Sequence, residues 1–391
     1  MRSRTSRKPS ARSGNRSANN RRERAGAWHG RTVAILAVAA GLGLGAGLRA
    51  QAIPPELRQF LAANARFGEG DMRDLAAGKP VAKLLKTKHQ NEVAGAGAIR
   101  IAVPRDFFLA ELDDIVRYKQ AQAEPPPEVG KFGSPPRLAD LGALALEPGE
   151  IDSLRDCRPG RCDMKLPGAE IRSFHEKIHW SASGADESAD RLFREFLLAR
   201  VEGYLKSGDA ALTAYHDKRS PVSLVAGLRQ LIADAPYLAS YAPRLADCLI
   251  RFPKCDAAVQ SFLYWSKEEF GHGLQPVVSV SQVLLDREGS DENGWVWQAS
   301  KQLYANHYVD CSLALTLIVD AGEEQNAPAF YLVYLNRSRS DVFRNSLGGL
   351  VRGIVQGGVN EEMSERLERI RKRMESLWAS RDSRYGAERL R

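Results

Sequence analysis

The sequence predicts an α+β protein in which helices occupy the middle of the chain and antiparallel strands come late. Between residues 186 and 271, apolar residues recur every three or four positions, which is the spacing of amphipathic helices. Between residues 276 and 339 the pattern changes to alternation, interrupted by turn-forming stretches. Helical spacing returns from Leu347 to Leu377 and predicts a long C-terminal helix.

Residues 1–52 have the layout of a secretory signal peptide. Ten basic residues precede Thr32, an uncharged run extends from Thr32 to Leu48, and Ala50 and Ala52 place small residues at positions −3 and −1 of a cut after Ala52. We therefore expect an exported protein, either periplasmic or extracellular. The alternative is an uncleaved membrane anchor formed by residues 32–48, which its short length and its glycines between residues 41 and 47 disfavour.

The charge balance changes when this leader is set aside. The whole chain has 56 basic and 48 acidic residues and a formal net charge of +8. Residues 1–52 contain 11 of the basic residues and one acidic residue, so the remainder has a net charge of −2. The excess of positive charge belongs to the leader, and we therefore expect no nucleic-acid partner.

All five cysteines follow the leader. Cys157 and Cys162 enclose a proline-glycine turn signal, Cys248 and Cys255 are also close in sequence, and Cys311 remains. In an oxidising compartment this arrangement favours two short-loop disulfides and one buried thiol. Four cysteines allow three pairings, and the sequence does not choose among them.

The remaining elements follow from apolar spacing and from prolines. We predict a helical entry within residues 53–91, a strand over 92–103 that closes at Pro104, and a helix over 105–118. Five prolines mark residues 124–136 as a loop. Further helices are predicted within 186–207, 221–233, 236–252 and 256–270, strands over 276–285, 294–304, 305–320 and 329–339, and a disordered tail over 379–391.

This order of strand, proline, helix, late hairpins and terminal helix resembles the START-like, helix-grip superfamily of lipid-transfer and ligand-binding domains. The run from Ile99 to Pro104 with the following Phe107 to Leu112 looks like that family's first strand and helix, and the run from Gly349 to Leu377 looks like its final helix. The resemblance implies a curved antiparallel sheet that grips the terminal helix, with a tunnel for an apolar molecule between them. The chain is also similar to exported bacterial proteins with no assigned activity.

The resemblance also divides the chain. The START-like core would comprise residues 92–185, which include the loop of the first cysteine pair, and residues 276–378. A mostly helical insertion, residues 186–275, stands where the middle strands of the family are expected.

Five residues are predicted to contact a small apolar or amphiphilic ligand. His307 falls in the apolar row of the predicted strand 305–320, next to Tyr308, and is either a hydrogen-bonded core histidine or a ligand contact. Arg337 and Arg339 share a strand face with Tyr331. They are either ion-paired at the end of the sheet or form an anchor for a ligand carboxylate or phosphate.

One segment matches two zinc patterns. Cys157, Cys162, His175 and His179 have the spacing of a two-cysteine, two-histidine zinc site. The same histidines read H-E-x-x-H, in which Glu176 would activate water and Glu195 or Glu202 would be the third ligand. We favour a disulfide beside a surface helix, because Lys177 departs from the zincin pattern and one pair of histidines cannot serve both chemistries.

Together these features predict a non-catalytic carrier without a cofactor, which would touch a membrane surface only transiently. A zinc-dependent hydrolase and a structural or interaction protein of the cell envelope are the alternatives. The oligomeric state is not predicted.

Overall fold

The computed structural model describes residues 53–269, 274–289, 294–322, 328–340 and 348–388, with the side chains of the last range described for residues 360–381. The predicted signal peptide and the alternative anchor at 32–48 therefore lie outside the described residues. The side chains of the glycine-rich first half of the terminal helix lie outside them as well.

An eight-stranded antiparallel sheet stands at the centre of the fold. In chain order its strands are β1 (Val81–Leu85), β2 (Glu92–Ile101), β3 (Glu128–Lys131), β4 (Val259–Glu268), β5 (Val277–Asp286), β6 (Val296–Ala305), β7 (Cys311–Asp320) and β8 (Phe330–Arg339). Their order in space is β1-β2-β8-β7-β6-β5-β4-β3, and β4 to β8 follow one another as hairpins. The sheet is curved and does not close.

Eleven α-helices are present among the described residues. They are α1 (Pro55–Phe60), α2 (Glu69–Ala76), α3 (Arg105–Asp113), α4 (Ile115–Gln120), α5 (Pro148–Asp156), α6 (Gly168–Lys177), α7 (Ala185–Ser207), α8 (Leu224–Ala233), α9 (Tyr237–Tyr241), α10 (Pro243–Arg251) and α11 (Gly348–Glu388). The predicted α+β class is thereby confirmed, with its curved antiparallel sheet, long C-terminal helix and mostly helical insertion.

Helices cover both faces of the sheet. One face, which carries Ile318 and Leu332, packs against α3, α4 and α11. The opposite face, which carries Leu315 and Leu335, packs against α1, α2 and α5 to α10 in the larger of the cores. Neighbouring side chains on a strand point to opposite faces, and helices cover both faces of β8. Strand β8 is therefore apolar at consecutive positions from Phe330 to Val333.

The C-terminal helix α11 packs against β1 and β2, and β2 has small side chains at the contact. Strand β2 alternates alanine with glycine from Ala94 to Ala98. A Cβ atom on Gly97 would lie 2.7 Å from Met363 Sδ and 2.8 Å from Leu367 Cδ1, which is closer than van der Waals contact. Glycine at this position therefore lets the helix approach the strand closely.

The prediction of a helix over residues 256–270 is wrong, because β4 occupies this segment. Leu263, Tyr264 and Trp265 are buried one after another. Strands β3 and β5 pair with the two edges of β4. A run of residues buried on both faces suits a central strand better than an amphipathic helix, so pairing partners distant in sequence determine the structure here.

The predicted strand 305–320 begins later than expected, at Cys311. Asn306 interrupts the strand, because its side-chain Oδ1 accepts a hydrogen bond of 2.8 Å from the backbone nitrogen of Val278. Tyr308 then adopts a left-handed conformation with φ of 53°. His307 therefore lies in the turn between β6 and β7, outside the alternating row in which it was predicted.

The predicted disorder from residue 379 is wrong as far as residue 388, because α11 continues to Glu388. The guanidinium group of Arg381 lies 6.0 Å from the ring centroids of both Phe107 and Trp378. These cation–π contacts attach this part of the helix to α3.

We predict that Gly97→Val destabilises the protein by about 1–3 kcal/mol, because the added side chain would overlap Met363 and Leu367. Gly149→Val is the matched control, since a Cβ atom there would meet only Gln275 Nε2 at 3.6 Å. We expect the control to change stability by about 0.5 kcal/mol or less. Urea denaturation measures both, and equal effects of the two substitutions would contradict the proposed close approach.

Candidate functional site

A cavity lies between α11, α4 and the centre of the sheet. The volume of this cavity is about 100 Å³. A dry cavity of about 150 Å³ in another protein binds benzene, so this space suits a small organic molecule. The apolar part of its wall is formed by Ile115, Val283, Ala314, Leu332, Leu367 and Ile370.

The strand register explains why space remains here. One row of paired residues crosses the sheet beneath α11 and consists of Leu285, Gln298, Thr316, Tyr334 and Gly97. The helix lies over the glycine end of this row, while Gln298, Thr316 and Tyr334 remain only half-buried. The neighbouring row, formed by Val296, Ile318, Leu332 and Ile99, is fully buried. The cavity therefore opens over the polar row.

Two cationic side chains line the cavity, and both lie close to Glu268. Lys119 Nζ donates a hydrogen bond of 2.8 Å to Glu268 Oε1. Arg366 Nη2 lies 4.0 Å from Glu268 Oε2. Ser266 Oγ also donates to Glu268 Oε1, at 2.9 Å. One carboxylate thus faces two positive charges, contributed by α4 and α11.

These charges shift the ionisation of the group. Burial opposes the charged form of Glu268, but Lys119 and Arg366 outweigh it and lower the pKa of this carboxyl to about 2. Burial likewise acts against the charge of Lys119, yet Glu268 and Tyr264 raise its pKa above the ordinary value. All three groups are therefore charged at neutral pH.

His307 and Tyr308 lie away from this cavity, in the turn between β6 and β7. The Nε2 atom of His307 is 3.0 Å from Glu150 Oε1, and its Nδ1 atom is 3.2 Å from the carbonyl oxygen of Asp163. Tyr308 Oη accepts a hydrogen bond of 2.8 Å from the backbone nitrogen of Gln275. Both side chains thus join the turn to neighbouring segments.

Tyr331, Arg337 and Arg339 lie on the face of the sheet opposite the cavity. Tyr331 is buried in the core beneath the helical insertion. Arg337 donates to Glu92 Oε1, and Arg339 Nη2 donates to Asn91 Oδ1 at 3.1 Å. None of the five predicted ligand contacts lines the cavity that the described residues form. Their role in binding remains a prediction without support from this geometry.

The segment with the two zinc patterns contains a disulfide. The sulfur atoms of Cys157 and Cys162 are bonded to each other, so in this form they offer no thiolates to a metal. Helix α6 ends at Lys177, so His179 does not lie one helical turn from His175 as the H-E-x-x-H geometry requires. His175 Nε2 instead lies 2.5 Å from the carbonyl oxygen of Cys157.

The second disulfide joins Cys248 to Cys255. The structure therefore selects one of the three pairings that the sequence left open, and it joins the cysteines that are close in sequence. Cys311 is a free, buried cysteine on β7.

Three side chains elsewhere have ligand atoms within 4.8 Å of one another, namely His89, Glu92 and Asp234. Lys88 Nζ lies 3.2 Å from Asp234, and Arg337 pairs with Glu92. Because cations already neutralise both carboxylates, a metal ion would have to compete with them. Glu195 and His179 do not belong to any such group within the described residues.

Sequence analysis missed the strand residues that line the cavity, because they stand at the less apolar positions of each alternating pattern. Ser300, Thr316 and Tyr334 stand on the wetter face of their strands. Lys119 and Arg366 lie more than 200 positions apart and meet only in the folded chain. The polar character of the even positions of β7 was the available signal.

Comparisons of the chain with protein-family models, with curated proteins and with solved structures found no match. In the described part of the chain, every helix is too short or too polar to cross a membrane.

We predict that Glu268→Gln lowers the free energy of unfolding at pH 7 by about 1–2 kcal/mol, because it removes the charge of a carboxylate that accepts a hydrogen bond from Lys119 and lies near Arg366. Since folding lowers the pKa of Glu268 from 4.5 to about 2, this stabilisation is complete above pH 4.5 and is lost as the pH falls towards 2. The difference between wild type and variant should shrink in that window.

Glu176→Gln is the control for this measurement. Glu176 is exposed and forms no ion pair with the described residues, so the substitution should change stability by about 0.5 kcal/mol or less. Denaturant titrations at several pH values measure both variants. A pH-independent difference between wild type and Glu268→Gln would refute the assigned ionisation.

We predict that the native protein does not react with iodoacetamide at pH 8. Cys311 is buried, and burial raises the pKa of its thiol to about 12, so little thiolate is present. After unfolding without a reductant, one thiol per chain should react, and all five should react after reduction. Five reactive thiols in the unreduced, unfolded protein would contradict the two disulfides.

Proposed function

We propose that this protein is an exported carrier that binds a small amphiphilic molecule in the cavity between the sheet and α11. The observation that carries the proposal is the open space over the row formed by Gln298, Thr316 and Tyr334, at a position where a helix already covers the sheet. Open space beneath a helix forfeits packing that larger side chains could provide.

The composition of the wall supports an amphiphilic ligand. Leu332, Leu367 and Ile370 offer apolar surface, whose burial against a ligand contributes about 25 cal/mol per Å². Gln298, Ser300 and Thr316 offer hydrogen-bonding groups within the same space. A mainly apolar cavity with a small number of polar groups that point into it is typical of small-molecule sites.

Two further features support the remaining parts of the proposal. The disulfides Cys157–Cys162 and Cys248–Cys255 are compatible with an oxidising compartment outside the cytoplasm. The START-like resemblance implies a ligand beneath the terminal helix, which is where the cavity lies.

The proposal is tested by filling the cavity. We expect butan-1-ol to shift the NMR signal of the ¹³C-labelled methyl group of Met363, which lines the cavity, and to leave Met72 and Met164 on the other face unaffected. Ala314→Leu should abolish the shift, because the new side chain occupies the space.

Ala110→Leu is the matched control, because Ala110 is an exposed residue of α3 and does not line the cavity. This variant should bind the alcohol as the wild type does. No shift of Met363 in the wild type, or an undiminished shift in Ala314→Leu, would contradict the proposal.

A further inference from the structure

We infer that the ligand is a small amphiphilic acid whose carboxylate binds between Arg366 and Lys119. This inference rests on the proposed function and adds the chemical class of the ligand. It is carried by the hydrogen-bonding state of Arg366, by the local excess of positive charge and by the place of both cations in the cavity wall.

Arg366 has donors that the side chains and backbone of the described residues leave unused. Among the described residues it forms no hydrogen bond, and its ion pair with Glu268 spans 4.0 Å. About a third of its side chain is exposed, at 34%, and the group lines the cavity. Lys301 in the interior differs from it, because it donates to Asp209 at 2.5 Å and to the carbonyl oxygen of Leu249 at 3.0 Å. A guanidinium with free donors that faces a cavity is arranged for a ligand.

Positive charge exceeds negative charge around this position. Glu268 is the partner of both Lys119 and Arg366. Arg373 lies two turns beyond Arg366 on the same face of α11, acts electrostatically on Tyr118, and forms no ion pair with the described residues. Two cations thus share the Glu268 carboxylate, a third lies further along the helix, and an anionic ligand would reduce this imbalance.

Geometry and volume favour a carboxylate as the anion. The planar guanidinium group matches a planar carboxylate in a two-pronged hydrogen bond, and Lys119 supplies a second positive charge in the same cavity wall. A space of about 100 Å³ leaves room for a short or compact apolar group behind the carboxylate. Ile370 and Leu367, on the same helix as Arg366, would contact that group.

The test compares butyrate with butan-1-ol, which have the same number of carbon atoms and differ in charge. The protein is expressed with its leader, purified after export, and titrated while the Met363 methyl signal is recorded. We expect the wild type to bind butyrate at least about tenfold more tightly than butan-1-ol, as a charge-assisted hydrogen bond predicts. Arg366→Met should remove this preference, so that the variant binds butyrate and butan-1-ol with similar affinities.

Two controls show whether a lost preference for butyrate comes from Arg366 itself, from the loss of any cation of α11 or from unfolding. Arg371→Met removes a cation from the same helix, where it pairs with Glu368, and should preserve the preference for butyrate. The Met72 and Met164 signals report whether each variant is folded. Equal affinities for acid and alcohol in the wild type, or an unchanged preference in Arg366→Met, would overturn the inference while the proposed function stands. Absence of binding by either probe would overturn both.

Discussion

The close approach of α11 to β2 is the constraint on which the rest of the structure depends. Gly97 permits it, because any larger residue would meet Met363 and Leu367. The approach places the helix over one side of the curved sheet, and the space over the middle of the sheet is then left to α4 and to whatever enters the cavity. The same packing brings Arg366 of α11 to Lys119 of α4 and Glu268 of β4, so one contact between a strand and a helix sets both the shape and the charge of the candidate site.

The two faces of the sheet differ in how closely their charged groups are paired. Beneath the helical insertion, buried charges are matched at short distances, as in the pair formed by Lys165 and Asp310 at 2.7 Å and in the pair formed by Lys301 and Asp209. Such pairing is what burial of charge requires, since an unpaired charge is costly. On the cavity face, the ion pair between Arg366 and Glu268 spans 4.0 Å, and Gln298 and Thr316 border open space. The first face has the character of a structural core, and the second has the character of a binding surface.

The sequence predicted the fold class because the signals are local. The alternation of Leu313, Leu315 and Leu317 identifies β7, and the spacing of apolar residues identifies α11. It did not predict β4, whose residues from Leu263 to Lys267 are buried on both faces and lack alternation. It also placed Tyr331, Arg337 and Arg339 in the ligand site, although they face the insertion, because helices cover both faces of β8 and its pattern does not say which helix lies on which side. Lys119 and Arg366 could not be paired from the sequence, since only the folded chain brings them together.

The central claim is that a ligand-sized space exists between the sheet and α11. Crystals of the protein pressurised with xenon test it most directly, because xenon enters dry apolar cavities without needing a specific partner. The account predicts anomalous density for xenon beside Val283, Leu332 and Leu367. An absence of xenon there, with side chains of the sheet and helix in mutual contact across the space, would contradict it.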